Sequence, residues 1–307
     1  MPRPMNLRIV TDSSSCLPAG WAEEHGVTVI PQGVVVDGAA YRETVDLPGD
    51  DFYRLLERGA TASSSQPRPE DFAAVYRAAL DAGDQVLSIH IGAKLSGTLE
   101  TARSQAALAQ AASGGGREAT AGGAGLPTPA MASDPPGHIH LVDSRSAGLG
   151  LGFLVMEAAR LAREGMAPAA VAAALGDMIP RVRVCFMLHT MTYLVRGGRV
   201  GRAAGLAASL LRLRPLLGFE DGEIVPVGHT RTSRQATAQL WRLISASADR
   251  GLSYAGFHYG LNRDEVEGWR REFTDRYGIE AALTQLGPAV GVHSGPRILG
   301  VVQVEAG

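Results

Sequence analysis

The sequence has little net charge, few cysteines and no long hydrophobic run, and each shortage argues against a class of protein. The 29 lysines and arginines nearly balance 31 aspartates and glutamates, which leaves a formal net charge of -2. A chain this close to neutrality lacks the basic footprint that nucleic-acid binding requires. No apolar segment approaches the roughly 18 residues of a membrane helix, and the amino-terminal residues contain no signal-peptide hydrophobic region. We therefore expect a cytoplasmic protein with no stable membrane insertion and no nucleic-acid partner.

Cysteine is the second shortage. Only Cys16 and Cys185 are present, and they form neither a CxxC pair nor a Cys/His ligand pattern. This usage favours a reducing compartment and argues against a structural zinc site. From the residues we therefore expect no metal and no cofactor.

Short apolar runs that alternate with helical patterns indicate an α/β protein. With 307 residues the chain can form two domains or one large domain with a sizeable core. The predicted strands lie at residues 7–10, 27–30, 86–91, 138–144, 182–188, 253–259, 281–286 and 298–304. Asp-Gly pairs at 37–38 and 221–222 predict tight hairpins. The apolar pattern breaks around 165–168, which predicts a domain boundary there.

The stretch Ser88–Ala102, SIHIGAKLSGTLETA, is the centre of the first half. A buried strand is predicted to end at Ile91, and apolar residues at helical spacing begin at Leu99. Ser96 therefore stands between a strand and a helix, a position that suits an N-cap residue. The free amides of a helix N-terminus also favour an anion, such as a carboxylate or a phosphate. Spacing alone leaves open whether Ser96 caps its helix or binds an anion.

Two other polar segments allow the same two interpretations. Asp12 and Ser13 follow the first strand, where open α/β sheets place their ligands, but such turn residues also cap helices. Ser64 and Ser65 belong to the segment at 61–69, which we predict to be a hydroxyl-rich loop stopped by two prolines. Its hydroxyls could donate to an anion or could serve only flexibility and capping.

Two glycine-rich stretches carry less chemistry. Residues 148–152 follow GxGxG spacing and not the GxGxxG of dinucleotide sites, so we expect these glycines to serve close helix packing. Residues 111–136 are rich in Gly, Ala and Pro and have almost no bulky apolar side chains. Because such a segment cannot bury enough surface to offset its ordering entropy, we predict a mobile surface insertion without chemistry.

Two segments of the second half are candidates for function. Arg196, Arg199 and Arg202 alternate with three glycines and predict an exposed basic turn, which could equally be a solvated helix end. His293 and Ser294 lie in a predicted loop among glycines and prolines, where the backbone can approach a ligand closely. A lone loop histidine is more often simply exposed, so both interpretations stay open.

Six motifs in this order resemble the DegV family of bacterial fatty-acid-binding proteins. They are VTDSS near the start, SSQPRPEDF at 64–72, KLSGTLETA at 94–102, VDSRSAG at 142–148, YLVRGGRV at 193–200 and GPAVGVHSGPRILGVV at 287–302. At the matching places the family carries TSQPS, LSGTYQSA, YLKKGGRI and a G-P-x-(I/V)-G-x-H-T-G-P-G run. No motif alone is specific, but together they cover nearly the whole chain apart from residues 111–136.

The chain departs from the family pattern at three places. Ser64 stands at the threonine of TSQPS, so the hydroxyl is kept and a methyl is lost. Gly92 and Ala93 stand at two serines ahead of LSGT, so hydrogen-bond donors are missing from that turn. Arg297 stands at the last glycine of HTGPG and adds a positive charge near the site. These changes affect the fine geometry of the site more than its ligand class.

The resemblance implies a fold of two α/β domains with the ligand between them. Residues 1–165 would form an N-terminal domain with a mainly parallel sheet flanked by helices. Residues 166–307 would form a C-terminal domain with a mixed sheet and helices. The hairpin at 31–44 is the part of the first domain that could pack on the second.

The resemblance also implies a site for a long-chain fatty acid. The carboxylate would meet Ser64, Ser96 and Gly97, with His293 beside them, and the acyl chain would enter an apolar tunnel in the C-terminal domain. Further pocket candidates are Asp12, Ser13, Ser65 and Ser294. In the family, the bound acid is presented to a separate fatty acid kinase, and the basic turn of Arg196, Arg199 and Arg202 resembles the surface proposed to meet it. The chain itself would then not be an enzyme.

Two alternatives belong to other functional classes. One is a serine-dependent hydrolase of acyl esters or thioesters, with Ser96 as nucleophile and His293 as base. Against it, KLSGT is not a GxSxG nucleophile elbow, and no acidic residue clearly orients His293. The other is a dinucleotide-binding oxidoreductase, which depends only on the weak glycine run at 148–152.

Overall fold

The computed structural model describes residues 6–113, 138–203, 214–230 and 233–307. The strands are β1 (Leu7–Asp12), β2 (Thr28–Ile30), β3 (Gly33–Val36), β4 (Ala39–Arg42), β5 (Ala62–Ser65), β6 (Gln85–His90), β7 (Ile139–Asp143), β8 (Val182–Leu188), β9 (Arg214–Glu220), β10 (Glu223–Thr230), β11 (Leu252–Tyr259), β12 (Ala282–Gln285) and β13 (Ile298–Glu305). The α-helices are α1 (Trp21–Glu24), α2 (Gly49–Glu57), α3 (Pro69–Asp81), α4 (Thr98–Ala112), α5 (Leu149–Arg163), α6 (Pro168–Met178), α7 (Thr192–Arg196), α8 (Ser233–Ala248), α9 (Arg263–Tyr277) and α10 (Pro288–Ser294).

These strands form three sheets. The first is parallel, in the order β2-β1-β6-β7. The second is mixed, in the order β10-β9-β8-β13-β11-β12, and only its β11–β12 pair is parallel. The third is a small antiparallel sheet in the order β4-β3-β5. The predicted α/β class, with a parallel sheet in the N-terminal part and a mixed sheet in the C-terminal part, is confirmed.

Helix α5 is buried between the parallel and the mixed sheets. Its Leu149 and Leu154 belong to one apolar cluster with Leu87 of β6 and Val302 of β13. All four side chains have essentially no exposed surface. The two halves of the chain therefore share a core, and the division at residue 165 stays a prediction.

The hairpin β3–β4 packs on the C-terminal half through α2. Val34 and Phe52 lie in one buried cluster with Ala289 and Val292 of α10. Tyr53 of α2 adds a hydrogen bond of 2.9 Å from its hydroxyl to the carbonyl of Leu286. The small sheet thus holds α10 in place, which matters for the site because α10 carries His293.

Two segments that we predicted as loops are regular structure. Residues 62–65, in the predicted hydroxyl-rich loop, are strand β5 and pair antiparallel with β3. Serine has low strand propensity, so the pairing with a distant valine-rich strand overrode the local signal. The segment around His293 is helix α10, with Pro288 at its first position. Proline suits that position because its missing N–H would have no partner in a helix anyway.

The glycine run at 148–152 opens α5 and does not form a dinucleotide loop. A side chain at Gly152 would bring its Cβ to 2.6 Å from the carbonyl oxygen of Ser15. A side chain at Gly150 would collide with the Ser146 hydroxyl. These contacts agree with the predicted use of the glycines in close helix packing.

The predicted insertion at 111–136 begins one turn too early. Residues 111 and 112 are the end of α4, and Ser113 follows as its C-cap. From residue 114 onward the insertion lies outside the described residues.

Within the part of the chain that the structure describes, no helix is both long and apolar enough to cross a bilayer. In the same part, no three His, Cys, Asp or Glu side chains are grouped so that they could hold a metal ion.

His258 of β11 joins the mixed sheet to the first turn of α5. Its Nε2 accepts a hydrogen bond of 2.7 Å from the backbone N–H of Leu149, so the ring proton is on Nδ1. Nδ1 lies 3.0 Å from the Thr284 hydroxyl. Burial lowers the pKa of His258 to about 4, which keeps the ring neutral and able to accept near pH 7.

We expect His258→Ala to lower the free energy of unfolding by about 1–3 kcal/mol, because the buried Leu149 N–H loses its acceptor. The wild-type ring has a lower pKa in the folded chain than the usual 6.5, so its contribution is present above pH 6.5 and is lost as pH falls towards 4. Urea unfolding at several pH values measures both effects. The exposed His189 supplies a control, His189→Ala. Equal acid sensitivity of His258→Ala and wild type would contradict this role.

Candidate functional site

Ser64 and His293 meet although 229 residues separate them in the sequence. Ser64 lies on β5, opposite Val34 of β3, and His293 lies on the last turn of α10. The Ser64 hydroxyl and His293 Nε2 are 3.0 Å apart, and both side chains are partly exposed. The pair is held by the packing of α10 on the small sheet.

The environment of His293 keeps its ring neutral. Burial lowers the pKa of His293 to about 4, and the positive charge of Arg199 contributes in the same direction. Nδ1 is buried and has no hydrogen-bond partner among the described residues. The backbone at Gly197 lies so close to the ring that any side chain there would collide with it. The basic turn thus covers one side of the imidazole.

Ser96 lies just before the first turn of α4. The helix begins at Thr98 with Gly97 as its N-cap, so the predicted N-cap position of Ser96 is off by one residue. The Ser96 hydroxyl still accepts a bond of 3.3 Å from the Thr98 N–H and lies 2.8 Å from the Thr98 hydroxyl. Ser96 is therefore tied to the helix start while remaining partly exposed.

Gln66 links the Ser64 strand to the Ser96 turn. The Thr101 hydroxyl of α4 donates to Gln66 Oε1 at 2.7 Å. A side chain at Gly97 would collide with the Gln66 amide, so the absence of a Cβ there permits this close approach. Ser64, Ser96, Gly97 and His293 thus lie at one junction of β5, α4 and α10.

Asp12 and Ser13 are buried, and both side chains form hydrogen bonds with neighbouring protein groups. Asp12 has no exposed surface. Its carboxylate accepts bonds from His90 Nδ1 (2.9 Å), Ile91 N (3.1 Å), Ser14 N (3.1 Å) and Gln32 Nε2 (3.0 Å). Ser13 accepts from the Gln32 N–H at 2.9 Å and donates to Glu43. Neither side chain is open to a ligand, so any influence they have on the site passes through their neighbours.

Glu43 is a buried carboxyl group that connects the two halves of the chain. It accepts from the Ser13 hydroxyl and, at 3.0 Å, from the backbone N–H of Ala289 in α10. Burial raises the pKa of Glu43 to about 7, against the lowering effect of these two bonds, and the nearby charge of Asp12 raises it further. The sequence carried no signal for this residue, because a glutamate beside a hairpin is ordinarily exposed.

Ser65 and Ser294, the other pocket candidates, have different surroundings. Ser65 is exposed on β5, with its hydroxyl against Gly33. Ser294 is buried and donates to the carbonyl of Gly295 at 3.2 Å. It lines a groove of about 300 Å³ with Tyr193, Arg297 and five other residues. Arg297 is exposed at this groove.

The three arginines of the basic turn have three different environments. Arg202 forms ion pairs with Glu220 and with Glu223, the latter at 3.3 Å. Arg199 donates to the carbonyl of Leu95, beside Ser96, at 3.3 Å. Arg196 ends α7 and is exposed next to Val195, whose surface is 46% exposed. All three arginines are exposed, as the prediction of an exposed basic turn requires, and among the described residues Arg196 and Arg199 form no ion pair.

An apolar cluster adjoins the Ser96 turn. Leu95 and Val290 pack against its edge. Its buried members are Cys16, Phe186, Leu188, Met191, Leu194, Ala203, Leu217, Ile224, Leu286 and Ile298. Hydroxyl groups on one side and aliphatic side chains on the other form a boundary suited to an amphiphile.

The geometry does not form the nucleophile–base pair of the hydrolase alternative. His293 contacts Ser64 and not Ser96, and no described carboxylate orients Nδ1. A Ser88–His90–Asp12 series does have triad connectivity, with distances of 2.7 and 2.9 Å. All three side chains have no exposed surface, so a substrate has no access to them.

Comparison with known proteins identifies the family. The model of the DegV family, described as uncharacterised, matches residues 6–306. A DegV domain-containing protein of Streptomyces coelicolor is 31% identical over 300 residues, which cover 97% of this chain and 98% of that protein.

Two solved structures have the same fold. A DegV family protein of Thermus thermophilus, described by its fatty acid binding, is 32% identical with a TM-score of 0.82, covering 98% of this chain and 100% of that one. DegV of Bacillus subtilis, described as a fatty acid binding protein, is 27% identical with a TM-score of 0.83 and the same coverage. With a family model that matches almost every residue, this chain belongs to the DegV family.

Proposed function

We propose that this protein binds a long-chain fatty acid and presents it to a fatty acid kinase. The carboxylate is bound by the hydroxyls of Ser64 and Ser96 and by the backbone amide of Gly97, with His293 beside them. The observation that carries the proposal is the Ser64–His293 pair at 3.0 Å, placed at one junction with the Ser96 turn and next to an apolar cluster. The fatty acid binding described for the Thermus and Bacillus relatives supports it.

The His293 contact prepares Ser64 to donate. A neutral imidazole carries one proton, and Nδ1 has no acceptor among the described residues, which favours the proton on Nε2. Nε2–H then donates to the Ser64 oxygen, and the Ser64 proton is left for a ligand. A carboxylate can only accept hydrogen bonds, so it matches this arrangement.

The acyl chain supplies most of the affinity in this proposal. Burial contributes about 0.8 kcal/mol per methylene, so a long chain contributes roughly 10 kcal/mol before the costs of association. A carboxylate taken out of water needs hydrogen bonds to offset its desolvation. Two hydroxyls, an amide and the nearby positive charge of Arg199 meet that need. The apolar cluster beside Leu95 is the surface along which the acyl chain runs.

Native mass spectrometry of the purified protein tests the proposal. We expect a bound mass equal to one long-chain fatty acid, which delipidation removes and added fatty acid restores. Turnover of an acyl ester would instead support the hydrolase, and a bound nucleotide the oxidoreductase. A delipidated protein that binds no fatty acid of any tested length would contradict the proposal.

The kinase part of the proposal rests on the resemblance of YLVRGGRV to the family's basic turn. Arg196 and the adjacent Val195 are exposed together at the end of α7. Exposed ion pairs usually contribute less than about 1 kcal/mol to stability, so a free arginine here suits an acidic partner better than the fold. Arg202 is already paired with two glutamates and is the weaker candidate.

We expect Arg196→Glu to leave the fatty acid content unchanged and to slow phosphorylation of the bound acid several-fold, because a like charge would face an acidic partner surface. A coupled assay with the cognate kinase at low and moderate salt measures this, and the wild-type rate should fall as salt rises. Arg77→Glu, on the exposed face of α3, is the matched control. Equal phosphorylation rates for the two variants would contradict a docking role for the turn.

A further inference from the structure

A continuous series of hydrogen bonds connects buried Asp12 to the partly exposed hydroxyl of Ser96. Gln32 Nε2 lies 3.0 Å from Asp12 Oδ1 and 3.0 Å from Thr98 Oγ1. Thr98 Oγ1 in turn lies 2.8 Å from the Ser96 hydroxyl. Asp12 and Thr98 have no exposed surface, and Gln32 is only 3% exposed. Water therefore has little access to the series before it reaches Ser96.

The charge on Asp12 decides which group donates and which accepts in each hydrogen bond of this series. Burial by itself would raise the pKa of Asp12, but hydrogen bonds and charge from His90, with bonds from Ser14 and Gln32, hold it below its ordinary value. The carboxylate is therefore ionised and can only accept. On its other side, His90 Nδ1 donates to it at 2.9 Å, and the Ile91 N–H donates at 3.1 Å. Asp12 is thus held as an acceptor from both sides.

The direction is transmitted residue by residue. Because Asp12 only accepts, the Gln32 amide must present its NH2 group there, and its second proton reaches Thr98 Oγ1. Thr98 then accepts from Gln32 and has its own proton to donate. The Ser96 oxygen at 2.8 Å is a nearer acceptor than Gln32 Oε1 at 3.4 Å.

Ser96 is the end of the series. Its oxygen accepts from the Thr98 hydroxyl and, at 3.3 Å, from the Thr98 N–H. A hydroxyl has two acceptor sites and one proton, so both acceptor sites are filled and the proton is left unused. Ser96 therefore faces the head-group site as a hydrogen-bond donor and not as an acceptor.

We propose that Asp12, Gln32 and Thr98 are positioning residues that hold Ser96 as a donor and thereby select a carboxylate head group over head groups that must themselves donate. This inference rests on the proposed fatty acid site and adds the reason for its specificity. A primary amide of the same chain length is nearly the same shape as the acid. Its NH2 group, however, would face the Ser96 hydroxyl, which is also a donor, so no hydrogen bond could form between them.

The test compares the affinities of palmitic acid and palmitamide for wild type, Thr98→Val and Thr98→Ser. Valine keeps the shape of threonine but removes the hydroxyl, so the Ser96 oxygen regains a free acceptor site. We expect Thr98→Val to lower the affinity for the acid by about tenfold while the affinity for the amide stays level or rises. Thr98→Ser keeps the hydroxyl and should keep the wild-type ratio of the two affinities.

A merely structural role of Thr98 would weaken both ligands equally, and that result would overturn the proposal. If Thr98→Val does not fold, as judged by its thermal melt, Gln32→Met removes the donor one step earlier and should reduce the acid-to-amide ratio in the same way. If both variants bind the acid with the wild-type ratio of acid affinity to amide affinity, the positioning role of Asp12, Gln32 and Thr98 is overturned and the proposed function still holds. Absence of acid binding to wild-type protein would overturn both.

Discussion

Replacing Ser64 and Ser96 together with alanine should remove fatty acid from the purified protein. In the proposed site each hydroxyl donates to the carboxylate, and loss of one such bond to a charged group costs about 1–3 kcal/mol. Each single variant should therefore bind about 5- to 150-fold more weakly, and the double variant more weakly still. Titration of delipidated protein with a fluorescent fatty acid gives these affinities, and native mass spectrometry gives the retained lipid.

The matched control for this prediction is Ser63→Ala. Ser63 lies next to Ser64 on β5, and neighbouring strand residues point to opposite faces. It is exposed, so its replacement should change neither affinity nor stability. If the double variant retained wild-type affinity, the carboxylate would not be bound at this junction.

Glu43 should make the protein less stable as the pH rises from about 4.5 through 7. Burial raises the pKa of this carboxyl to about 7 in the folded chain. A raised pKa means that the folded state holds the proton more tightly than the unfolded state does. The contribution of Glu43 to the free energy of unfolding is therefore full below the pKa of the unfolded chain and is lost as the pH rises past the pKa of the folded chain. The difference corresponds to a loss on the order of 3 kcal/mol between these limits.

Glu43→Gln should remove this pH dependence. The amide resembles the protonated acid: its oxygen can accept from the Ala289 N–H, and its NH2 group can donate to the Ser13 oxygen. We therefore expect the variant to match wild type near pH 5 and to exceed it in free energy of unfolding at pH 8. Urea unfolding of both proteins at each pH measures the difference, in which the opposite contribution of His258 cancels.

Glu57→Gln, at the exposed end of α2, controls for the loss of a surface charge. It should shift the unfolding curve equally at both pH values. A Glu43→Gln variant that is less stable than wild type at pH 8 would show that Glu43 is bound as a carboxylate.

The site was partly predictable because its residues stand at recognisable junctions of local patterns. Ser96 follows a strand and precedes a helix, and both elements are present. The contact between Ser64 and His293 had no local signal, because it depends on how β5 and α10 pack around the small sheet. The resemblance to the DegV family brought these residues to one site before any distance was known.

The residues that act behind the site could not be predicted. Thr98 is visible in KLSGT only as a second hydroxyl, and Gln32 is an ordinary residue between two strands. Their proposed role depends on the charge of Asp12, which is 20 positions from Gln32 and a further 66 from Thr98 in sequence but within two hydrogen bonds of both in space. Likewise, nothing in the sequence near Arg202 indicates an ion pair, but in the fold Arg202 pairs with Glu220 and Glu223.

By itself the sequence determined the α/β class, most of the strands and helices and the two Asp-Gly hairpins, because apolar period and turn chemistry are set by neighbouring residues. The tertiary structure alone decided that a serine-rich segment is a strand, that His293 lies on a helix and that its ring pairs with Ser64. It alone also buried Glu43 and oriented Ser96. Hydrogen-bond direction and pKa depend on which distant groups surround a side chain, and only the folded chain brings those groups together.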